Sequence, residues 1–350
     1  MTVNIASTRF RRRRAVICAC IVFTLWYFLS KINSLGTYKS RYVIKLESDG
    51  RFATEFFDRV RSTMKFEEVI SNSKDEIKNL EREANKKKSS KEIHLITQSY
   101  ISTSTNRTWE LLHSLYLNLQ NPFLTKIHLL QEPQFSFARI QSSLKTQYPD
   151  ISDKLFDKLF VHSHSGQKRL LASEAFEYAS KHLKANIVIL SNADIVFDET
   201  IGLLLGEKSD LNYITSFFLS RYELPDHLNS SLGTQCSSKF QGSHDSFIFI
   251  PPLPQSVIAN SNFALGSWGI ENRLLYEFEQ VGIRGRNPCK SIKSWHIHWS
   301  SVKEGWMPTV NDGKSSVAFP DTLEGDLPLD WPWEIRRGGR DVDMIKRPNS

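Results

Sequence analysis

The stretch Asn186-Ile187-Val188-Ile189-Leu190, continuing as Ser191-Asn192-Ala193-Asp194-Ile195-Val196-Phe197-Asp198, decides the fold. Residues 187–190 are four branched aliphatics without alternation, the pattern of a strand buried on both faces. Outward from it, Ile93–Thr97 (IHLIT), Lys126–Leu130 (KIHLL) and Lys158–His162 (KLFVH) read as further short strands. A helix-like segment after the first of them places Trp109, Leu112, Leu115, Tyr116 and Leu119 on one face. Arg169 to Leu183 repeats apolar residues at Leu171, Ala175, Ala179 and Leu183, a helical period. Alternating strands and helices imply an α/β domain with a mostly parallel sheet, which binds ligands beyond the carboxyl ends of its strands.

That rule directs attention to the residues after Leu190. Asn192 and Asp194, two apart, can point the same way into the crevice, and oxygen ligands there suit a hard divalent cation bridging phosphates. Asp194 is read as functional by its position. Asp198 is read instead as the N-cap of a helix starting near Glu199.

Polar islands follow downstream. Arg221 succeeds an apolar run, Tyr213 to Leu219, and Asp245, within Gly242-Ser243-His244-Asp245-Ser246, stands at the entrance of a strand-like run, Phe247 to Ile250. Leu265 to Arg273 opens a helix with Ile270, Leu274, Leu275, Phe278 and Val281 on its buried face. Glu271, in its first turn, is either an acidic residue complementing the helix dipole or a general base over the crevice. In Ser291-Ile292-Lys293-Ser294-Trp295-His296-Ile297-His298-Trp299, read as a strand, His296 and His298 share one face and can complete a metal shell or donate to phosphates.

In order, Gln167-Lys168-Arg169…Glu174-Ala175-Phe176-Glu177-Tyr178-Ala179, Asn192-Ala193-Asp194-Ile195…Phe197-Asp198, Ser220-Arg221-Tyr222-Glu223, Gly242 to Ser246, Gly266…Gly269-Ile270-Glu271-Asn272-Arg273 and Asn287-Pro288-Cys289…His296-Ile297-His298 resemble a poorly characterised group of GT-A-type nucleotide-sugar glycosyltransferases. The resemblance spans roughly residues 93 to 300 and implies a GT-A-like, Rossmann-like sheet flanked by helices. It implies that Asp194 matches the last carboxylate of a DxD-type metal motif, with His298 or His296 completing the site for a divalent cation, Mn2+. Asn192 replaces the first Asp of that motif, which lowers the site's negative charge and its pull on the cation. Arg169, on the helix before the motif, together with Arg221, Asn192 and Asp194, would bind the donor diphosphate. Glu271, or failing that Asp245, would deprotonate the attacking hydroxyl, giving an inverting transfer to a lumenal glycan or glycoprotein. Asn192 also keeps open a catalytically inactive sugar- or nucleotide-binding relative. A metal-dependent hydrolase is a third class, disfavoured because the sequence holds no second dense carboxylate or histidine cluster.

The N-terminus sets the expected location. Arg9 and the run Arg11–Arg14 precede an uncharged apolar stretch, Ala15 to Leu29, read as a signal anchor at 15–30 with a cytosolic tail at 1–14. The rival reading is a cleaved signal peptide, but no small-x-small cleavage site follows Leu29 cleanly. Fifteen helical residues cover ~23 Å, short of a ~30 Å hydrocarbon core, which suits a thin early-secretory membrane. A charge-rich stem at 31–91, a catalytic domain at 92–310 and a C-terminal extension at 311–350, with Trp331 and Trp333 as docking points, complete a type II layout. With the resemblance, that layout implies a Golgi or endoplasmic reticulum membrane protein with a lumenal catalytic domain.

Charge agrees with this layout. Residues 1–91 carry a formal +10, more than the whole chain's +7, while residues 92–350 carry 25 basic against 28 acidic residues, which removes nucleic acid as a partner. Two sequons, Asn106-Arg-Thr and Asn229-Ser-Ser, suit a lumenal chain. Cys236 and Cys289 are either one disulfide or two buried thiols.

Overall fold

The structure, a computed structural model, describes residues 91–100, 102–133, 135–164, 169–224, 236–237, 242–300, 309–323, 333–338 and 341–346. The expected anchor at 15–30, all of the stem at 31–91 but Lys91, and Asn229 lie outside the described residues. Among the described residues no helix is long and apolar enough to cross a membrane.

The deciding stretch becomes β4 (Ile187–Ser191), every residue of it buried. It lies beside β1 (Ile93–Thr97), which pairs in turn with β2 (Leu124–Gln131), and β2 with β3 (Leu159–Ser163), all in parallel. β6 (Thr215–Leu219), β8 (Ser246–Phe249) and β9 (Arg284–Arg286) complete a seven-stranded sheet in the order β3-β2-β1-β4-β8-β6-β9. Only β8 runs against its neighbours. The chain steps outward from β1 to β3 and then returns to the other side of β1, so the strand order reverses between β1 and β4. In open α/β sheets such a reversal is where a ligand crevice is expected, here beyond Thr97 and Ser191.

Helices cover both faces because β4 is apolar on both. Val188 and Leu190 pack with Phe176 and Ala179 of one helix (Ala172–His182) and with Leu274 and Phe278 of another (Ile270–Gln280). Ile187 and Ile189 pack on the opposite side with Leu115 and Leu119 of α1 (Thr105–Gln120), and with Ile140 and Leu144 of α2 (Phe137–Gln147). The helix at Ala172–His182 is α3, a short helix at Gln255–Asn260 is α4, and the helix at Ile270–Gln280 is α5. A second sheet is built from β5 (Ile195–Phe197), β7 (Tyr222–Glu223) and β10 (Ser294–His296), in the order β5-β10-β7. Strands at Trp333–Gly338 and Asp341–Lys346 form a separate antiparallel pair.

Three expectations are corrected, and the start of the expected extension is placed. The buried face of α1 is Arg107, Glu110, Leu111, Ser114, Leu115, Asn118 and Leu119, whereas Trp109 is 41% exposed. Of its polar members, Asn118 bonds to the small sheet, its amide donating to Ile195 O (2.8 Å) and accepting from Phe197 N (3.0 Å), while Asn121, just past the helix, donates to Phe197 O (2.8 Å). Arg169 precedes α3 rather than lying on it, since the helix begins at Ala172, where the Glu174 carboxylate accepts the Leu171 N–H (3.1 Å). The strand expected across Ser291–Trp299 spans only Ser294–His296, after which Ile297 N turns to Asp194 O (2.9 Å). Finally, the start of the expected extension belongs to the domain. Asp321 accepts from Arg286 Nη2 (2.8 Å), and Ala318 and Leu323 join the two cores.

Three parallel strands carry a polar file through the sheet. His94 Nε2 meets Glu92 Oε2 at 2.9 Å, His94 Nδ1 meets His128 Nε2 at 2.9 Å, and Tyr178 Oη joins His128 Nδ1 (3.0 Å) to His162 Nε2 (2.7 Å). With an ionised Glu92 as acceptor at one end, each imidazole must donate toward it, so one carboxylate sets every tautomer. Burial pushes the His128 imidazole down to about 3 and lowers those of His94 and His162. The unfolded chain takes up the His128 proton below about pH 6.5, whereas the folded one does not until about 3. Stability is therefore expected to fall as pH drops through this window, by up to ~1.4 kcal/mol per pH unit from His128 alone. Thermal unfolding at pH 7.5 and pH 5 checks this: a lower Tm at pH 5, with a shallower dependence in His128→Gln, is the expected result.

Candidate functional site

Asp194 stands just past the end of β4, 9% exposed, where Ile195 N donates to Asn192 O (3.3 Å) and the chain turns at once into β5. An ionised carboxylate at such depth must be matched by charge. Two cations supply it. Arg107, in the first turn of α1, donates Nη2 to Asp194 Oδ2 and Nη1 to Glu110 Oε2 (2.9 Å) and Ile297 O (3.1 Å). His296 brings Nε2 to within 3.2 Å of the same Asp194 oxygen and Nδ1 to within 2.7 Å of Glu223 Oε2.

The network continues in both directions. Glu223 Oε1 accepts from Arg221 Nε (2.8 Å), whose Nη1 donates to Asp245 Oδ1 (2.7 Å), and the Asn192 amide donates to the same oxygen (3.4 Å). At the other end Glu110 accepts from the amide and the hydroxyl of Ser300, the latter at 3.0 Å. Sign alternates along the file Glu110, Arg107, Asp194, His296, Glu223, Arg221, Asp245, so each buried charge has an opposite neighbour.

The titration behaviour follows from this alternation. Burial pushes the Asp194 carboxyl up, but the hydrogen bond and charge of His296, with the charge of Arg107, hold it well below the usual carboxylate range. Burial pulls His296 down, and its bonds to Asp194 and Glu223 nevertheless raise it to about 9. Burial also raises Asp245 despite Arg221, and Asp245 Oδ2 is buried without a hydrogen-bond partner among the described residues.

Glu271 is half-buried at the start of α5. Gly269, at φ +80°, begins that helix in a left-handed turn, and a Cβ there would meet Val310 O at 2.8 Å. Only glycine therefore lets the turn present Glu271 as it does. Burial, followed by the charge of Asp245, pushes the Glu271 carboxyl up to about 8, although the amides of Glu271 and Gly269 donate to it.

The residues singled out in the sequence thus fall into two groups. Asn192, Asp194, Asp245, Arg221 and His296 lie in one network, and His298 adds a ring whose centroid is 5.5 Å from that of His296. Arg169 is next to Leu170, whose amide donates to Gln98 Oε1 (2.8 Å) just past β1. Asp198 caps the 3-10 turn at Glu199–Leu205, accepting from Thr200 N (3.0 Å), while its other oxygen accepts from Trp295 Nε1 (2.9 Å). Asn106 is exposed in the first turn of α1. Cys236 and Cys289 are disulfide-bonded, with Cα atoms 5.9 Å apart. Sequence reading missed Arg107, Glu110 and, as a site residue, Glu223. Their only signal is charge at positions that a helix face or strand turns inward.

The donor set suits a divalent cation. One ligand atom from each of Asp194, His296 and His298 lies within 4.8 Å of the others, an O,N,N set typical of Mn2+ or Zn2+. Burial lowers His298, leaving it a neutral ligand, while His296 would exchange the proton it now holds for the ion.

No protein-family model and no curated protein sequence matches this chain. Solved structures to which it is similar include a mannosyltransferase from Pyrobaculum calidifontis in complex with GDP-Man and Mn2+, at 9% identity over 69% of this chain and 70% of that one, with a TM-score of 0.36. A 4-diphosphocytidyl-2C-methyl-D-erythritol synthase matches at 14% identity over 62% of this chain and 94% of that one, TM-score 0.35. GalNAc-T7 with UDP, GalNAc and Mn2+ matches at 11% identity over 64% and 46%, TM-score 0.38. These are distant likenesses, and the site is read from its own residues.

Removing one partner of a buried ion pair strands the other charge. Arg107→Ala is therefore expected to lower the unfolding free energy by about 3–5 kcal/mol in denaturant titration. A loss under about 1 kcal/mol would mean that Asp194 is solvated rather than ion-paired.

Proposed function

We propose that this chain is a glycosyltransferase that moves a sugar from a nucleotide-diphosphate donor to a hydroxyl of a glycan or glycoprotein, with inversion at the anomeric carbon. The observation that carries the reading is the convergence of Asp194, His296 and His298 beyond the end of β4, beside the crevice where the strand order reverses. The sequence resemblance points the same way. The single apolar segment at 15–30 supports an anchor with the domain in the lumen of the Golgi or endoplasmic reticulum, and the Cys236–Cys289 disulfide supports an oxidising compartment.

A divalent cation held by Asp194, His296 and His298 would supply positive charge to the departing diphosphate. Glu223 holds His296 by Nδ1, fixing the ring so that Nε2 faces Asp194. Arg221 holds Glu223 and Asp245 in place and so acts on the reaction through them. Glu271, ionised above about pH 8, takes the proton of the acceptor hydroxyl as its oxygen bonds to the anomeric carbon. The bond from that carbon to the diphosphate oxygen breaks, and the electron pair leaves with the nucleoside diphosphate. Arg169, ahead of α3 and near the end of β1, is the candidate for meeting the diphosphate.

A second reading, a catalytically inactive sugar- or nucleotide-binding relative, is favoured by one observation: Arg107 already neutralises the single carboxylate left to the motif by Asn192. Calorimetry separates the two, since the enzyme should bind nucleotide more tightly with Mn2+ and the inactive relative should not.

The decisive experiment is a nucleotide-sugar screen of the purified chain with Mn2+. One donor is expected to be turned over, with a loss of ~10²-fold or more in Asp194→Ala. Absence of transfer or hydrolysis across the panel would remove the proposal. The rate carried by Glu271 should rise about tenfold per pH unit up to about 8 and level off above it. Glu271→Gln should lack this limb and lose ~10²–10⁴-fold at the plateau.

A further inference from the structure

The outward side of α1 carries a second feature, absorbed neither by the core nor by the charge file. Trp109 is 41% exposed on a helix whose other face is fully engaged. Its indole stacks on His113 at 4.7 Å between centroids and faces Trp299 at 5.8 Å, tilted by 35°. Both walls are held from behind. Trp299 Nε1 donates to Leu224 O (3.0 Å), and His113 Nδ1 meets Tyr148 Oη at 2.5 Å, with Tyr148 stacked on Tyr116. The two indoles line a cavity of 260 Å³, to which Asn106, Glu110 and Ser300 also contribute among the described residues.

Rigid aromatic faces with a polar rim match a ligand that has apolar C–H faces and hydroxyl edges, which is a pyranose ring. The volume is below the ~300–1,000 Å³ of drug-sized sites and suits a ring rather than a long ligand. Glu110 is the acidic member of the lining, so a phosphorylated ligand is disfavoured. A nucleotide also has its own expected seat, beyond β1 and β4. The cleft adjoins the transfer site: Glu110, which lines it, shares Arg107 with Asp194.

We propose that the Trp109–Trp299 cleft is a saccharide subsite, seating a pyranose ring of the acceptor glycan beyond the residue that receives the sugar. The assignment to an acceptor rests on the glycosyltransferase reading, whereas saccharide binding itself does not.

Titration calorimetry of the full chain with chitohexaose, mannohexaose, cellohexaose and maltohexaose tests this. At least one is expected to bind. Trp109→Ala and Trp299→Ala should each weaken it about tenfold, Trp109→Phe should weaken it less, and affinity for UDP and GDP should stay as in the parent. Because Trp109 lies outside the core, Trp109→Ala should keep the parent Tm, so its weakened binding reports on the cleft. No binding by any of the four, or equal binding in parent and variants, overturns the proposal. A parallel loss of UDP or GDP binding would assign the indoles to a nucleobase and also overturns it. Binding seen only in Asn106→Gln would give the cleft to a glycan carried by the chain itself and overturns the acceptor assignment. Saccharide binding that persists while no donor is ever turned over leaves the subsite standing and removes the enzyme reading alone.

Discussion

The buried carboxylate of Asp194 is the constraint from which the site is built. A charge at that depth is tolerated only with partners that are themselves matched, and the match propagates: Arg107 requires Glu110, His296 requires Glu223, and Glu223 brings Arg221 and Asp245. The file ties the first turn of α1 to the end of β4, to β7 and to β10, elements far apart in sequence. The fold of the small sheet and the electrostatics of the crevice are therefore one problem with one solution. Glu271, whose proton affinity is raised first by its own burial, gains a further increment from Asp245 at the negative end of the file.

The same arrangement orders the turn beyond β4 with a single carboxylate, Asp194, while the Asn192 amide donates to Asp245. The proton on His296 occupies the place between Asp194 and Glu223 that would otherwise be an electrostatic gap. Each carboxylate of the file has a cationic partner, so an ion held by Asp194, His296 and His298 would take the place of the His296 proton.

The sheet was legible in the sequence because its information is apolar and local. Ile187–Leu190 reads as a doubly buried strand from four residues, and the expected strands at 93–97, 126–130 and 158–162 are found within about two residues at each end. Asp194 followed from the position rule for strand ends, and the histidine pair from spacing. The face of α1 was misread because its buried side is polar: Arg107, Glu110, Ser114 and Asn118 carry no hydrophobic period. Their partners, Ile195, Ile297 and Ser300, lie roughly 77 to 190 residues away, a separation that no window of sequence spans. The same gap hid the packing of residues 309–323, whose anchor is the buried pair Arg286–Asp321 rather than an apolar run.

The bonding of Asn118 and Asn121 to β5 has one more consequence. β5 is the outermost strand of the small sheet, and an outermost strand normally offers its amides and carbonyls to any passing chain. Here two side-chain amides of the helix region occupy Ile195 O, Phe197 N and Phe197 O. The helix thus does the work of a neighbouring strand, and the residues that follow Asp194 are sealed against pairing with another molecule, which guards a concentrated protein against aggregation at its most functional turn.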